Sequence, residues 1–168
     1  MRRIVDGGSC NADEILLGRS TYEAMQAYWP DVTDPENFVA TSLNGLPRHV
    51  VSTTLTDPGW ANTSVIGADV VGSVTALKER PGRELQVHGS WQLARTLHDA
   101  ELVDEYRLLV FPVVVGAGKR LFAEGAAPSG YVLVDSGVTS KGAIHQVPRP
   151  APFETGTFAV EDGKETSR

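Results

Sequence analysis

The chain has 168 residues, of which 41% are hydrophobic and 21% charged, and its formal net charge is −6. This size and balance fit one globular domain with a sizeable core, whereas the acidic excess argues against a nucleic-acid binder that works by neutralising phosphates. The single cysteine, Cys10, excludes an internal disulfide framework, and the four histidines follow no metal-ligand spacing, so we expect no metal site.

The N-terminal residues and the apolar runs predict the compartment. The opening stretch MRRIVDGG lacks the hydrophobic region of a secretory signal. The longest apolar run, residues 108–115, is too short to cross a bilayer. We therefore expect a cytoplasmic protein that does not bind membranes.

The first strand–helix junction combines a helix start with an arginine. Residues 14–17 predict a short buried strand, and Gly18-Arg19-Ser20-Thr21 follows it directly. Glu23 stands three residues after Ser20, which predicts a capping box and a helix that begins at Ser20. An arginine at a helix start is favourable if an anion lies between the arginine and the positive helix end. The alternative is a surface arginine paired with Glu14 or Glu23.

The middle of the chain predicts a second helix and a strand with hydroxyls at its end. Pro35 suits the first position of a helix that runs to about residue 43, and residues 49–52 form the next strand. Ser52, Thr53 and Thr54 stand at the carboxyl end of this strand, where ligands bind in open parallel sheets. Their hydroxyls can hydrogen-bond phosphate oxygens, although a Ser/Thr turn is the commoner alternative.

The second strand–helix junction lies at Gly89-Ser90. A strand at residues 63–67 and a helix at residues 70–80, capped by Asp69, precede it. Residues 84–88 predict a strand, and Ser90 suits the N-cap of the helix that follows. A strand that turns through glycine into a helix directs free N–H groups and the positive end of the helix dipole at one point, which suits a phosphate. The alternative is an ordinary tight turn that needs Gly89 for its backbone.

The last third of the chain predicts strands only. Residues 104–115 form a long apolar strand that contains Pro112, so it lies at an edge or carries a bulge. Residues 131–135 and 143–147 predict two more strands. The element order predicts an α/β fold with a mostly parallel sheet and antiparallel C-terminal edge strands. We place a short lead at residues 1–12, the domain at 13–148, and a Pro-rich, then polar, disordered tail at 149–168.

Three motifs together resemble the dihydrofolate reductase superfamily, whose fold has three αβα layers. LLGRSTYE at residues 16–23 is similar to the family's GR-x-T segment, and LPRHVVS at residues 46–52 resembles the next cofactor strand. VHGS at residues 87–90 stands where the family has a Gly-Gly pair before a helix. Features between residues 102 and 122 repeat the pattern of the reductase domain of the bifunctional riboflavin-biosynthesis deaminase–reductase and its stand-alone relatives.

The resemblance implies an NADPH-dependent reductase of the dihydrofolate or 5-amino-6-(5-phosphoribosylamino)uracil reductase type. Such an enzyme transfers a hydride to a C=N or C=O bond of a small heterocyclic substrate, and the resemblance identifies no general acid here. By position alone, Trp29 and Arg48 are candidates for the substrate wall, with core packing or surface charge as the alternative for each. The implied cofactor-binding residues are Gly18, Arg19, Ser20, Thr21, Ser52, Thr53, His88, Gly89, Ser90, Trp91 and Gln92.

The chain departs from the family pattern before residue 13. The family begins with a strand, an active-site loop and a helix, and residues 1–12 leave no room for all three. We therefore expect the first family strand to be missing, through native shortening or a misassigned start. The alternative function is a catalytically degenerate nucleotide-binding remnant, and the uncovered sheet edge would favour self-association as a homodimer.

Overall fold

The computed structural model describes residues 1–6, 11–122, 124–156, 158–161 and 164–167. A central sheet of parallel strands runs through these residues in the order β4-β3-β2-β5-β1-β6. Its members are β1 (Arg3–Asp6), β2 (Ala12–Gly18), β3 (Arg48–Val51), β4 (Thr63–Ile66), β5 (Glu84–Val87) and β6 (Glu105–Tyr106).

Helices cover both faces of the central sheet and create two cores. The helices are α1 (Arg19–Gln26), α2 (Phe38–Gly45), α3 (Val70–Glu79) and α4 (Trp91–Asp99), with a short 3₁₀ helix at Trp29–Asp31. Tyr22 of α1 and Leu43 of α2 pack against Leu17 on one face. Val74 of α3 and Leu97 of α4 pack with Leu16 and other residues of the opposite face. Neighbours in β2 therefore face different cores, as the two-residue period of a strand requires.

A second, antiparallel sheet follows the central one along the chain. It has the order β7-β9-β8, with β7 (Leu108–Val110), β8 (Gly130–Val138) and β9 (Ile144–Ala151). Two further strands, β10 (Phe158–Glu161) and β11 (Lys164–Ser167), pair with each other. The predicted α/β class, with a mostly parallel sheet and antiparallel C-terminal strands, is confirmed.

The prediction that the first family strand is missing is wrong. Arg3–Asp6 forms β1, which lies between β5 and β6 and pairs with both in parallel. Sequence reasoning missed this strand because it has four residues and begins with a charge that Glu105, 102 positions away, neutralises. Room is lacking only for the active-site loop and the helix that the resemblance implies between the first two strands, since five residues separate Asp6 from Ala12. Because β1 occupies the place of the strand that was expected to be missing, the sheet edge that was to favour a homodimer is not left uncovered. The homodimer itself stays a prediction.

Two helix starts differ from the predictions. Gly18 occupies the N-cap of α1 without a side-chain cap, so the capping box of Ser20 and Glu23 does not form. The second helix begins at Phe38 rather than at Pro35, because the Asn37 side chain accepts a hydrogen bond from the Ala40 amide. Asp69 caps α3 through the Gly72 amide, as the sequence predicts.

The C-terminal strands also differ from the predictions. The long strand at residues 104–115 is two short ones, β6 and β7, that belong to different sheets and are separated by Arg107. Both later strands are longer than expected, and β9 continues to Ala151, inside the predicted tail. β10 and β11 also lie in that tail, while its residues 157, 162, 163 and 168 are outside the described part. No described helix has the length and apolar content needed to span a membrane.

A buried ion-pair network occupies the amino ends of three strands. Glu84 and Glu105 begin β5 and β6 and are 2% and 3% exposed. Arg107 Nη2 lies 2.9 Å from Glu84 Oε1 and 2.8 Å from Glu105 Oε1. Arg3 and Arg149 donate to Glu105 Oε2 at 2.5 and 2.9 Å. The two buried carboxylates are therefore paired with arginines, as buried charges must be.

Candidate functional site

The two strand–helix junctions that the sequence singles out are bound to each other. The Gly18 amide donates to Ser90 Oγ at 2.8 Å, and the Ser90 amide donates to Thr21 Oγ1 at 3.1 Å. Ser90 Oγ in turn donates to the His88 carbonyl at 2.8 Å. This arrangement follows from the topology, because β2 and β5 are neighbouring parallel strands whose carboxyl ends meet at one edge. The first turns of α1 and α4 therefore begin side by side.

The turn between β5 and α4 uses two consecutive left-handed residues. Gly89 has φ +53° and Ser90 has φ +55°. Ser90 occupies the predicted N-cap position, but its side chain makes no cap hydrogen bond. Its hydroxyl instead connects the two junctions. The amides of the first helical turn thus keep no intrahelical acceptor and can bind a ligand.

A cavity of about 410 Å³ opens where the junctions meet. Three helices begin at it, since its lining includes the first residues of α1, α3 and α4. Among the described residues that line it, two, Arg19 and Lys119, are basic and none is acidic. A basic cavity in a chain of net charge −6 suits an anionic ligand. It is lined by Gly18, Arg19, Ser20, Thr21, Val51, Val70, Ser90, Trp91, Gln92, Leu93, Thr96 and Lys119.

Arg19 is only partly available to a ligand. Its Nε lies 2.6 Å from Glu23 Oε1, and its Nη1 donates to the Thr54 hydroxyl. The side chains of Arg19 and Glu23 are each 47% exposed. The alternative of a surface arginine paired with Glu23 is therefore realised, but further guanidinium N–H groups remain for an anion.

Four predicted cofactor residues lie outside the lining of this cavity. Ser52 is buried, and its Oγ accepts hydrogen bonds from the amides of Thr54 and Leu55 at 3.2 and 3.0 Å. It therefore makes the Ser/Thr turn that was the alternative, with Thr53 exposed at its tip. His88 and Gly89 immediately precede the lining residue Ser90, and burial lowers the pKa of the His88 imidazole.

Neither candidate for the substrate wall reaches the cavity. Arg48 is 1% exposed, lies 3.8 Å above the Trp60 ring and donates to the carbonyls of Leu43, Leu46 and Ala61. Its guanidinium is thus a structural part of the core, which favours the alternative of core packing, and the substrate role of Arg48 stays a prediction. Trp29 is half-buried against the core cluster that contains Tyr22, so core packing explains this residue as well.

Sequence reasoning missed Lys119 as a site residue and did not predict the contact between Thr54 and Arg19. Lys119 follows the Gly116-x-Gly118 loop, which matches no phosphate-binding motif, so no local pattern marks it. Thr54 is the last of the three hydroxyl residues predicted at the end of β3, but its contact with Arg19 depends on the packing of β3 beside β2. Within the described residues, no group of three potential metal ligands comes together.

Comparison with protein families and curated proteins gives three matches. The family described as the RibD C-terminal domain matches residues 1–142. The uncharacterised protein YyaP of Bacillus subtilis (strain 168) is 30% identical over 138 residues, which are 80% of this chain and 72% of YyaP. YwjB, also uncharacterised and from the same strain, is 26% identical over 112 residues, or 67% of this chain and 59% of YwjB.

Two solved structures share the fold. A protein named for riboflavin biosynthesis from Shewanella sp. PV-4 superposes with a TM-score of 0.67 at 20% identity, over 83% of this chain and 75% of the other. A pyrimidine reductase-like protein from Corynebacterium diphtheriae superposes with a TM-score of 0.59 at 12% identity, over 90% and 91% of the two chains.

Proposed function

Because the chain belongs to the RibD C-terminal domain family, we propose that it is an NADPH-dependent reductase of the riboflavin-biosynthesis type. The observation that carries the proposal is the basic cavity at which the linked junctions of α1 and α4 begin. The nicotinamide would supply the hydride chemistry, and the protein would supply position and electrostatics. The substrate class is a planar heterocycle with a reducible C=N or C=O bond.

The donor set of the cavity fits the phosphates of NADPH. Arg19 presents a guanidinium, which binds phosphate in a bidentate manner. The first-turn amides of Trp91, Gln92 and Leu93 present further donors at the positive end of α4. A cavity of about 410 Å³ has the size of a small-molecule site, and no carboxylate among its described lining residues would repel an anion. The roles of Ser20 and Thr21 beside Arg19 belong to the same proposal.

Changing Arg19→Ala tests the cofactor assignment. We expect NADPH to bind about 1.5 kcal/mol more weakly, the lower end of the range for hydrogen bonds to charged groups, because Arg19 is half-exposed and shares its charge with Glu23. NADH, which lacks the 2′-phosphate, should lose much less. Tryptophan-fluorescence titration of both cofactors measures the difference, since Trp91 lines the cavity.

The control for this test is Arg80→Ala, which removes an exposed arginine beyond the other end of α3. It should leave both affinities unchanged. Equal losses for NADPH and NADH in Arg19→Ala would contradict a contact with the 2′-phosphate.

A second candidate function is a nucleotide-binding member of the family without efficient catalysis. The short spacing between Asp6 and Ala12 favours it. Five residues are too few for the active-site loop and helix that the family resemblance implies at this point of the chain. Positioning of reacting groups supplies up to ~7–11 kcal/mol of a barrier. We therefore expect the chain to bind NADPH with little or no turnover of dihydrofolate or a riboflavin-pathway aminopyrimidine. Sustained NADPH oxidation, followed by absorbance, would favour the reductase and show that other residues complete the site.

A further inference from the structure

Lys119 places a second cation at the cavity from a distant part of the chain. It lines the same space as Arg19 and Thr21, although 100 positions separate Lys119 from Arg19. Among the described residues, no carboxylate forms an ion pair with Lys119, whereas Glu23 offsets the charge of Arg19. Lys119 is therefore the uncompensated positive charge of the cavity.

The residues that follow Lys119 hold its loop along α4. Leu121 packs against the core cluster that contains Leu93 and Leu97. The Phe122 ring meets the His98 ring edge-on, with 5.1 Å between ring centroids. Leu121 and Phe122, two and three residues after Lys119, thus hold this part of the chain against α4.

The two cations thus reach the cavity from different parts of the fold. Arg19 begins α1, whereas Lys119 lies in the loop that leads to Phe122, whose ring contacts His98 of α4. We infer that Lys119 binds the anionic group nearest to α4, so that the cavity accepts a ligand with two separated anionic groups, one at Arg19 and one at Lys119. The inference rests on the proposed function, and it assigns the 2′-phosphate of the nucleotide to Arg19 and the 5′-phosphate side to Lys119.

A set of nucleotide fragments tests the assignment without the nicotinamide. Adenosine 2′,5′-bisphosphate carries both anionic groups, whereas 2′-AMP and 5′-AMP carry one each. Calorimetric titration of the full chain should show that Lys119→Ala weakens 5′-AMP and the bisphosphate about fivefold, the upper range for an exposed ion pair. The affinity for 2′-AMP should stay unchanged. Arg19→Ala should give the opposite pattern for the two monophosphates.

Two further variants separate a local contact from general charge. Lys119→Arg keeps the cation and should restore the affinity for 5′-AMP. Arg120→Ala removes the neighbouring exposed cation, which does not line the cavity, and should leave every affinity unchanged. A loss in Arg120→Ala as large as that in Lys119→Ala, or an unchanged affinity for 5′-AMP in Lys119→Ala, would overturn the inference.

The outcomes also separate this inference from the proposed function. If 5′-AMP binding depends on Lys119 while NADPH binds no more tightly than NADH, the NADPH assignment fails and the role of Lys119 stands. If NADPH binds with its preference intact and Lys119→Ala changes nothing, the role of Lys119 fails alone. If neither NADPH nor any of the fragments binds the unaltered chain, both are overturned.

Discussion

Arginine–glutamate pairs occupy both ends of the central sheet, and the two ends differ in burial. At the amino ends of the strands, Glu105 is 3% exposed and is bound by Arg3, Arg107 and Arg149. At the carboxyl ends, Arg19 and its partner Glu23 are each 47% exposed. The same chemistry therefore has two uses. A pair with a buried carboxylate fixes the fold because that carboxylate cannot return to water, whereas an exposed pair can exchange its partner for a ligand.

The pKa shifts at the buried end agree with this distinction. Burial alone raises the pKa of Glu105, but hydrogen bonds from Arg149 and Arg3 outweigh it and leave the pKa below its usual value. Hydrogen bonding to Glu84 likewise raises the pKa of Arg107. Both groups therefore stay charged at neutral pH, and the network contributes to stability in its ionised form.

The largest expected effect comes from breaking the buried end. Replacing Glu105→Ala leaves three guanidinium groups without this carboxylate, which should lower the free energy of unfolding by about 3 kcal/mol. We take the lower end of the range for a broken buried pair, because Arg3 and Arg149 are more than 40% exposed and can be hydrated. Urea denaturation measures the change.

The exposed end provides the matched control for this prediction. Glu23→Ala breaks an ion pair of the same chemistry and should cost less than about 1 kcal/mol. Similar losses for Glu105→Ala and Glu23→Ala would show that burial does not separate the two ends.

More of the structure at the carboxyl ends of the central strands than at their amino ends could be predicted from the sequence. The parallel pairing of β2 and β5 places Gly18 and Gly89 at the same edge of the sheet. Local strand–turn–helix patterns were therefore enough to predict that Arg19, Ser90 and Trp91 lie at one site. The β1 strand was not predictable, because its charged first residue depends on Glu105, a partner distant in sequence.

Single residues show the same limit. Ser90 has the residue type of an N-cap, but its hydroxyl bonds to Gly18, a contact that only the pairing of β2 with β5 creates. The sequence left a substrate contact, core packing and surface charge open for Arg48, and only the structure shows the backbone carbonyls that hold its guanidinium in the core. Local patterns thus predicted elements and their ends, while partners across the sheet required the structure.

An intermediate effect is expected at Gly89, where the site and the backbone meet. Its φ of +53° is unfavourable for a β-branched residue, so Gly89→Val should cost about 1–2 kcal/mol of stability. The added Cβ itself would meet Thr21 only at 3.5 Å, an ordinary contact, so the chain should still fold. Thermal unfolding and NADPH titration of the same sample measure both consequences.

Gly89→Asn is the control, because asparagine tolerates the left-handed region and adds a side chain of similar size. If Gly89→Asn keeps its stability but loses nucleotide affinity, the close approach of the backbone to the ligand matters. If Gly89→Asn behaves like the unaltered chain, and Gly89→Val loses stability but keeps its nucleotide affinity, the glycine serves the turn.

The smallest expected effect is at Thr21, whose hydroxyl connects the two junctions. Thr21→Val keeps the shape of the side chain but removes the acceptor of the Ser90 amide, which lies 3.1 Å away. The loss of one net hydrogen bond should lower the free energy of unfolding by about 1 kcal/mol. Thr96→Val is the control, because Thr96 also lines the cavity but its hydroxyl donates only within α4, to the Gln92 carbonyl. It should be close to neutral.

A double-mutant cycle sharpens this last prediction. Ser90→Ala removes the hydroxyl that accepts from the Gly18 amide, so Thr21 and Ser90 connect the same two junctions through separate hydrogen bonds. If the junctions act as one unit, the double variant should lose less stability than the sum of the single changes, by about 0.5 kcal/mol or more. Nucleotide affinity should follow the same pattern, because the first turn of α4 is held in place by both hydrogen bonds. Strict additivity in both measurements would mean that each junction is ordered independently.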